Sequence, residues 1–340
     1  MTLGRYVEVT GDRLLANFIV TKTIPADINA ANPWTEHDKG LHVREKTIKK
    51  LTESRADCDD LEFPEYSLLD LKVDLAWEVL SNCHFCERRC SVDRKRGEKG
   101  FCNLGAISRL SSEFLHLSEE DCLVPSHTLF FVGCTFYCIF CQNWTISQQV
   151  EKGAPVTPEG LARLVKKRRL LDKSKNVNLV GGEPTPNLHV ILKMLKHLDV
   201  NIPVVWNSNM YMSTEAMRLL DGVVDIYLTD FKYGRDDCAL KLSKVRGYWK
   251  IITRNHLLAK EQAELLIRHL VLPNHVECCT KHILEWIGKN FGDSARINIM
   301  AQYRPEFQAN KITDINRSVT SSEMTRAYEI AREAGLNNLD

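Results

Sequence analysis

From about residue 123 onward, short apolar runs alternate with longer amphipathic ones. TLFFVG (128–133) is apolar almost throughout, the pattern of a strand buried on both faces. TPEGLARLVKKRRLL (157–171) spaces its apolar residues helically and opens on a Thr cap followed by Pro. VNLVGG, IPVVWNSN, VDIYLTDFKY, LLIRHLVLP and RINIMAQY read as further strands. Between and after them, PNLHVILKMLKHL, STEAMRLL, CTKHILEWIGKNF and EMTRAYEIAREAG read as helices, with Ser213 as a cap. Strand and helix thus alternate about six times over short connections, which predicts parallel strands joined by right-handed crossovers. Six units fall short of a closed eight-stranded barrel. The expected fold is therefore α/β, a partial (β/α)6 barrel open on one side, with a doubly wound sheet as the alternative. In both architectures the functional site lies at the carboxyl ends of the strands.

Upstream the pattern is weaker. SLLDLKVDLAWEVLSN (67–82) has helical spacing and delivers the chain to Cys83. Residues 1–66 are polar and broken by Pro25, Pro33 and Pro64; VEVT and LLANFIVT read as a strand pair, and 34–60 as helix and loop. The expected organisation is an N-terminal peripheral extension (1–66), a helix with a Cys-rich metal-binding segment (67–122), and the partial barrel (123–340).

Charge changes little. Lys and Arg total 45 against 44 Asp and Glu, so no global field points to nucleic acid or a membrane surface. No apolar run approaches the ~20 residues of a membrane span. MTLGRYVEVTGDR lacks a basic start followed by an apolar core, so the expectation is a protein of the cytoplasm. The 12 cysteines change the picture more, because seven fall in two tight groups between Cys83 and Cys141. Clusters in a long chain without a signal favour metal over disulfides.

Cys134, Cys138 and Cys141 stand in GCTFYCIFCQNW, in the loop after the first barrel strand, spaced C-x3-C-x2-C. Three thiolates on one loop can hold three irons of a 4Fe–4S cube and leave the fourth open to a small ligand. A zinc clip with a distant fourth ligand is the competing reading. Gly181, Gly182 and Glu183 follow the second strand, where the glycines permit close backbone approach and Glu183 points its carboxylate into the site. Asn207, Ser208 and Asn209 end the third strand and offer hydrogen bonds to a ribose or an amino-acid tail. Asp230 and Lys232, two apart, share a face at the end of the fourth strand, and Arg268 lines the fifth.

With these motifs in this order, the chain resembles the radical S-adenosylmethionine (SAM) superfamily. VGGEPTP, VWNSN, DFKY, LVLPNH and NIMAQY narrow the likeness to its pyruvate formate-lyase activating enzyme-like branch, over residues 67–340. The resemblance implies a 4Fe–4S cluster on Cys134, Cys138 and Cys141, and reductive cleavage of SAM to a 5′-deoxyadenosyl radical that abstracts hydrogen from a substrate. It implies Glu183 at the SAM amino group and Phe140 near its adenine. Gly181, Gly182, Asn207, Ser208, Asn209, Asp230, Lys232 and Arg268 would line the rest of the cofactor. Asn207 departs from the carboxylate usual in that branch, so the branch's bound monovalent cation is not carried over. The eight-cysteine insertion of some activating enzymes is also missing, since residues 142–176 contain no cysteine. Implied partners are a flavodoxin- or ferredoxin-like electron donor and a protein substrate, a glycyl-radical enzyme being the first guess.

Cys83, Cys86, Cys90 and Cys102 form a second group, C-x2-C-x3-C-x11-C, whose four thiols suit zinc or a fully ligated iron–sulfur cluster. His84 reads as a neighbour of these ligands. The cations from Arg94 to Lys99, and KKRR at 166–169, read as solvated faces. His275 and Tyr303 are weak candidates for the substrate mouth. Cys58, Cys122, Cys278 and Cys279 read as ordinary thiols. Two other function classes remain open: methyl transfer or hydrolysis at a zinc site, and an iron–sulfur scaffold or electron carrier that does not cleave SAM.

Overall fold

The six apolar runs pair as parallel strands. The computed structural model describes residues 3–54, 58–150, 153–294 and 296–340. Its strands are β1 (Arg109–His116), β2 (Ser126–Phe131), β3 (Ala154–Pro155), β4 (Asn176–Gly181), β5 (Val204–Ser208), β6 (Ile226–Asp230), β7 (Glu264–Leu270) and β8 (Arg296–Met300). They form one 8-stranded sheet in the order β3-β1-β2-β4-β5-β6-β7-β8. From β2 to β8 every pairing in that order is parallel, whereas β1 runs antiparallel to both β2 and β3. The predicted six-unit α/β sheet is therefore present, extended at one edge by an antiparallel strand that the hydrophobic pattern of 109–116 does not announce. That strand exposes one face, so its apolar residues are too few to stand out.

The helices are α1 (Gly4–Thr10), α2 (Asn17–Lys22), α3 (Pro33–Ser54), α4 (Leu68–Val79), α5 (Trp144–Ser147), α6 (Pro158–Leu170), α7 (Leu188–His197), α8 (Thr214–Leu220), α9 (Asp236–Ser243), α10 (Tyr248–Gln262), α11 (Lys281–Asn290) and α12 (Ser321–Glu333). Thr157 caps α6 by accepting from Gly160 N–H, and Ser213 caps α8 by accepting from Ala216 N–H, as the sequence predicts. Between the fourth and fifth parallel strands the expected helical segment is a pair of helices, α9 and α10.

The N-terminal stretch departs most from expectation. VEVT and LLANFIVT are not a strand pair; they contribute to α1 and α2. Nor is the segment peripheral. Leu3 and Tyr6 pack with Leu123, Val205, Ile226, Leu228 and Leu266 in one buried cluster that includes residues of β5, β6 and β7. The backbone N–H groups of Arg5 and Tyr6, in the first turn of α1, donate to the Glu264 carboxylate at 3.1 and 2.7 Å. A carboxylate against a helix N-terminus is favourable. Asn17 N–H donates to Asp225 at 3.0 Å. These long-range bonds, absent from any local window, override the β propensity of the valines. Within the 34–60 stretch, residues 55–57 lie outside the described residues.

At the far edge, β8 is covered by the chain's last residues: Ile297 N–H donates to Asn338 O and Asp340 N–H to Ile297 O. The cations at 166–169 are mostly paired, Lys166 with Asp199, Arg168 with Glu113 and Asp172, and Arg169 with Asp12. No described helix is long and apolar enough to cross a membrane.

Burial has a pH consequence. His189, His256 and His269 are held down by burial to about 3, 4 and 4, against an ordinary 6.5. They stay neutral in the fold, while the unfolded chain protonates them near 6.5. Their contribution to stability is complete above that value and is lost as pH falls through about 4. Asp225, pushed up to about 6 by burial, acts in the opposite sense and offsets part of the loss. Urea midpoints are expected to fall from pH 6.5 to 4.5, with net proton uptake on unfolding; a flat profile would contradict this account.

Candidate active site

The carboxyl end of β2 feeds directly into the cysteine loop, and the loop is latched in place by α9. Tyr137 and Ile139 donate their N–H groups to Ser243 O and Leu242 O at 3.0 and 2.9 Å. Ser243 Oγ also donates to Cys138 Sγ at 2.9 Å, and Phe136 N–H donates to Cys134 Sγ at 3.3 Å. Cys141 Sγ stands 3.4 Å from Ser147 Oγ. Burial raises all three thiols, Cys138 to about 12, with the neighbouring acidic groups adding to the effect. A bare trio of this kind is poorly suited to water, whereas a bound cationic centre would stabilise the thiolates.

Gly181 closes β4 and Gly182 follows it. Gly181 has φ 128, and a Cβ there would lie 1.9 Å from Phe131 O; at Gly182 it would lie 2.2 Å from Gly133 O. The ends of β2 and β4 approach closely here, backbone to backbone. This approach brings Glu183 beside the cysteine loop.

Glu183 is 2% exposed. Its Oε1 accepts from Thr185 Oγ1 at 2.6 Å, Thr185 N–H at 3.3 Å and Ser208 Oγ at 2.7 Å; among the described residues Oε2 accepts from Asn209 N–H alone, at 2.9 Å. Burial raises its pKa, against the lowering effect of these donors. Oε2 thus keeps acceptor capacity. Asn209 turns its amide to the loop, donating to Thr135 Oγ1 at 3.0 Å and approaching Cys134 Sγ at 3.8 Å.

These groups share one cavity of about 610 Å³, within the usual range for small-molecule sites. Cys134, Cys138 and Cys141 line it with Phe140, Gly181, Gly182, Glu183, Asn207, Asn209, Asp230, Lys232 and Arg268. Ser208 is not on that wall; its hydroxyl is spent holding Glu183 and accepting from Met210 N–H. Asp230 and Lys232 are paired with each other. Burial opposes charge on Lys232, but Asp230 and the thiols outweigh it and raise its pKa. Arg268 is already committed: it pairs with Glu119 and makes a fork with Glu120 at 2.7 and 2.6 Å. The two glutamates, in the loop between β1 and β2, were missed in the sequence, where nothing local ties them to β7. Asn298, Met300 and Gln302 complete the wall from the β8 side. Tyr303 is not at the mouth: its ring packs edge-on to Phe140 and its hydroxyl donates to Ile315 O at 2.7 Å.

The upstream cysteines also converge: the pKa values of Cys86 and Cys102 are raised by burial and by the neighbouring thiols of this group. Cys90 sits between Arg89 and Ser91, both at positive φ, and its Sγ accepts from Phe101 N–H at 3.3 Å. Arg94 is not part of a solvated loop. It is 1% exposed, donates to Gly105 O at 2.7 Å, and places a guanidinium nitrogen 3.8 Å from Cys83 Sγ.

An open α/β barrel with three thiols and a buried carboxylate at the carboxyl ends of its strands defines a class of enzyme built around an iron–sulfur cluster with an exchangeable position. Residues 128–287 match the radical SAM superfamily, so the chain carries a radical SAM domain. It is a radical SAM enzyme, and that family uses a 4Fe–4S cluster and SAM. The chain is 50% identical over 349 residues to the uncharacterized protein MJ0674 of Methanocaldococcus jannaschii, covering 99% of each. A second protein of that organism, the uncharacterized protein MJ0808, is 24% identical over 282 residues, 75% of this chain and 78% of the other. Among solved structures, Streptococcus suis SuiB bound to precursor peptide SuiA aligns at 16% identity and TM-score 0.44, over 61% of this chain and 46% of SuiB. SuiB bound to S-adenosylmethionine aligns at TM-score 0.43. The chain thus spans a little under half of SuiB's length.

Proposed function

We propose that the chain is a hydrogen-abstracting radical SAM oxidoreductase of the glycyl-radical-activating type, with Cys134, Cys138 and Cys141 as the cluster ligands. The observation that carries this reading is that three thiols on one loop, two buried and one half-buried and without a local fourth, face the same cavity as Oε2 of Glu183. When bound, the cluster supplies the electron that splits SAM into methionine and a 5′-deoxyadenosyl radical able to take hydrogen from a substrate.

The chain's own residues then bind and orient. Glu183 Oε2 receives the SAM amino group, while Ser208 and Thr185 hold that carboxylate in place. The side chain of Asn207 makes no hydrogen bond within the described protein and lines the cavity, which suits it to the ribose or the methionine tail. Lys232 and Arg268 bring positive charge to the tail carboxylate, Lys232 by leaving Asp230 and Arg268 while keeping Glu120. Phe140, backed by Tyr303, packs the adenine side. Cys83, Cys86, Cys90 and Cys102 hold zinc or a second cluster, with Arg94 offsetting thiolate charge. The partners are a flavodoxin- or ferredoxin-like reductant and a protein substrate reaching the cavity between β1 and the C-terminal edge, a glycyl-radical enzyme being the first to try.

The test is anaerobic reconstitution with iron and sulfide, followed by SAM and dithionite. Wild type is expected to form 5′-deoxyadenosine, and Cys138→Ala none. An iron–sulfur protein that ignores SAM would replace this reading with an electron carrier or scaffold.

A further inference from the structure

Five cysteines lie outside the two groups that the sequence singles out, and the fold gathers three of them. Cys238 is in the first turn of α9, after β6. Cys278 and Cys279 lie in a single wide turn, Val276–Thr280, after β7. Their sulfurs all fall within 4.8 Å of one another, the only such set of three or more candidate donors among the described residues. Cys278 and Cys279 are 4.0 Å apart at sulfur. Thiolates about 2.3 Å from one tetrahedral zinc are separated by roughly 3.8 Å. The trio is therefore spaced for one ion, whereas a 4Fe–4S cube needs its ligands further apart.

The two segments are pressed together by design of the backbone. A Cβ on Gly234 would lie 2.6 Å from Cys279 O and 2.8 Å from Cys279 Cα, so only glycine admits this approach. Cys279 is buried, while Cys238 and Cys278 are half-buried, which leaves an entry path. His275 opens the turn that carries Cys278 and Cys279, its carbonyl accepting from Cys279 N–H at 2.9 Å. Its Nδ1 donates to Pro273 O at 2.7 Å, the arrangement that leaves the lone pair of Nε2 available to a metal.

We propose that Cys238, Cys278 and Cys279 form a three-thiolate site for a single zinc ion, separate from both other cysteine groups, with the fourth position on the His275 side. Binding expels the S–H protons and involves no change of oxidation state. The ion ties the loop after β7 to the head of α9, whose last residue, Ser243, donates to Cys138. It thus fastens the helix that braces the cysteine loop. This inference stands apart from SAM cleavage, and its test reads zinc and thiol reactivity instead.

Full-length protein, anaerobic and iron–sulfur-reconstituted, would be equilibrated with zinc chloride and compared with Cys238→Ser and Cys278→Ser for zinc and iron per chain. Each variant is expected to lose one zinc with iron unchanged. In parallel, iodoacetamide labelling of wild type would be followed by peptide mass spectrometry with zinc and after chelation. Zinc is expected to slow labelling of Cys238 and Cys278 by roughly tenfold or more, because a metal-bound thiolate is a blocked nucleophile. Equal zinc in all three proteins, iron lost in place of zinc, unprotected thiols, or a disulfide within the trio in the anaerobic protein would each overturn the proposal. The labelling arm decides the matter even if a variant fails to fold.

Discussion

Alanine at Gly181 is expected to leave little soluble protein, and what remains should melt far below wild type. Gly181 pairs in register with Phe131 across β2 and β4, at φ 128, a conformation L side chains rarely adopt. The added Cβ would sit 1.9 Å from Phe131 O and 2.4 Å from Phe131 N. These are backbone atoms in a paired strand, so no flexible side chain can yield. Relief requires the ends of the two strands to part, which moves the cysteine loop and Glu183 together. The cost falls in the exceptional range, on the order of 4 kcal/mol or more. The check is soluble yield and thermal melting beside Gly4→Ala, whose Cβ meets nothing within 4 Å. Wild-type melting of Gly181→Ala would show that the strand ends are not so closely apposed.

Substitution of Glu183 is expected to have the largest effect on SAM. Glu183→Gln keeps size and one acceptor oxygen but removes the charge facing the cavity. Its amide nitrogen cannot accept from Asn209 N–H, so stability should fall by about 1–3 kcal/mol, while SAM affinity falls by roughly 10- to 100-fold, the worth of a charged hydrogen bond of about 1.5–3 kcal/mol. Glu183→Ala should lose SAM affinity at least as far and stability as well, because the hydroxyls of Thr185 and Ser208 and the Asn209 N–H lose their acceptor in a buried site. Equilibrium binding of SAM and thermal melting separate the two effects. If Glu183→Gln bound SAM as wild type does, the carboxylate would be a scaffold for the end of β5 and not a cofactor contact.

The parallel strands and the helices around them were legible because each is a local pattern: a buried parallel strand is apolar along its length, and a helix repeats its apolar face and announces its start with a cap. Cys134, Glu183, Asn209 and Lys232 were legible as neighbours because the fold class places every strand's carboxyl end at one face. What each side chain does there was less so. Ser208 and Asn209 are adjacent and of similar chemistry, yet only Asn209 reaches the cavity wall, since successive residues of a strand point to opposite faces. Arg268 reads as a free cation until the chain folds Glu119 and Glu120 onto it from about 150 residues away. Arg94 reads as a surface charge until it is buried against Cys83.

By itself the sequence determined the α/β class, the order of the six parallel units, the cysteine triplet and the motifs that place the chain among radical SAM enzymes. Those properties depend on neighbours a few residues apart, where stereochemistry and hydrophobic period act directly. Tertiary structure alone decided that Leu3 and Tyr6 pack against residues of β5, β6 and β7, that an antiparallel strand extends the sheet, and that Cys238 meets Cys278 and Cys279. Each rests on hydrogen bonds or packing between segments tens to hundreds of residues apart, and such contacts leave no period in the chain.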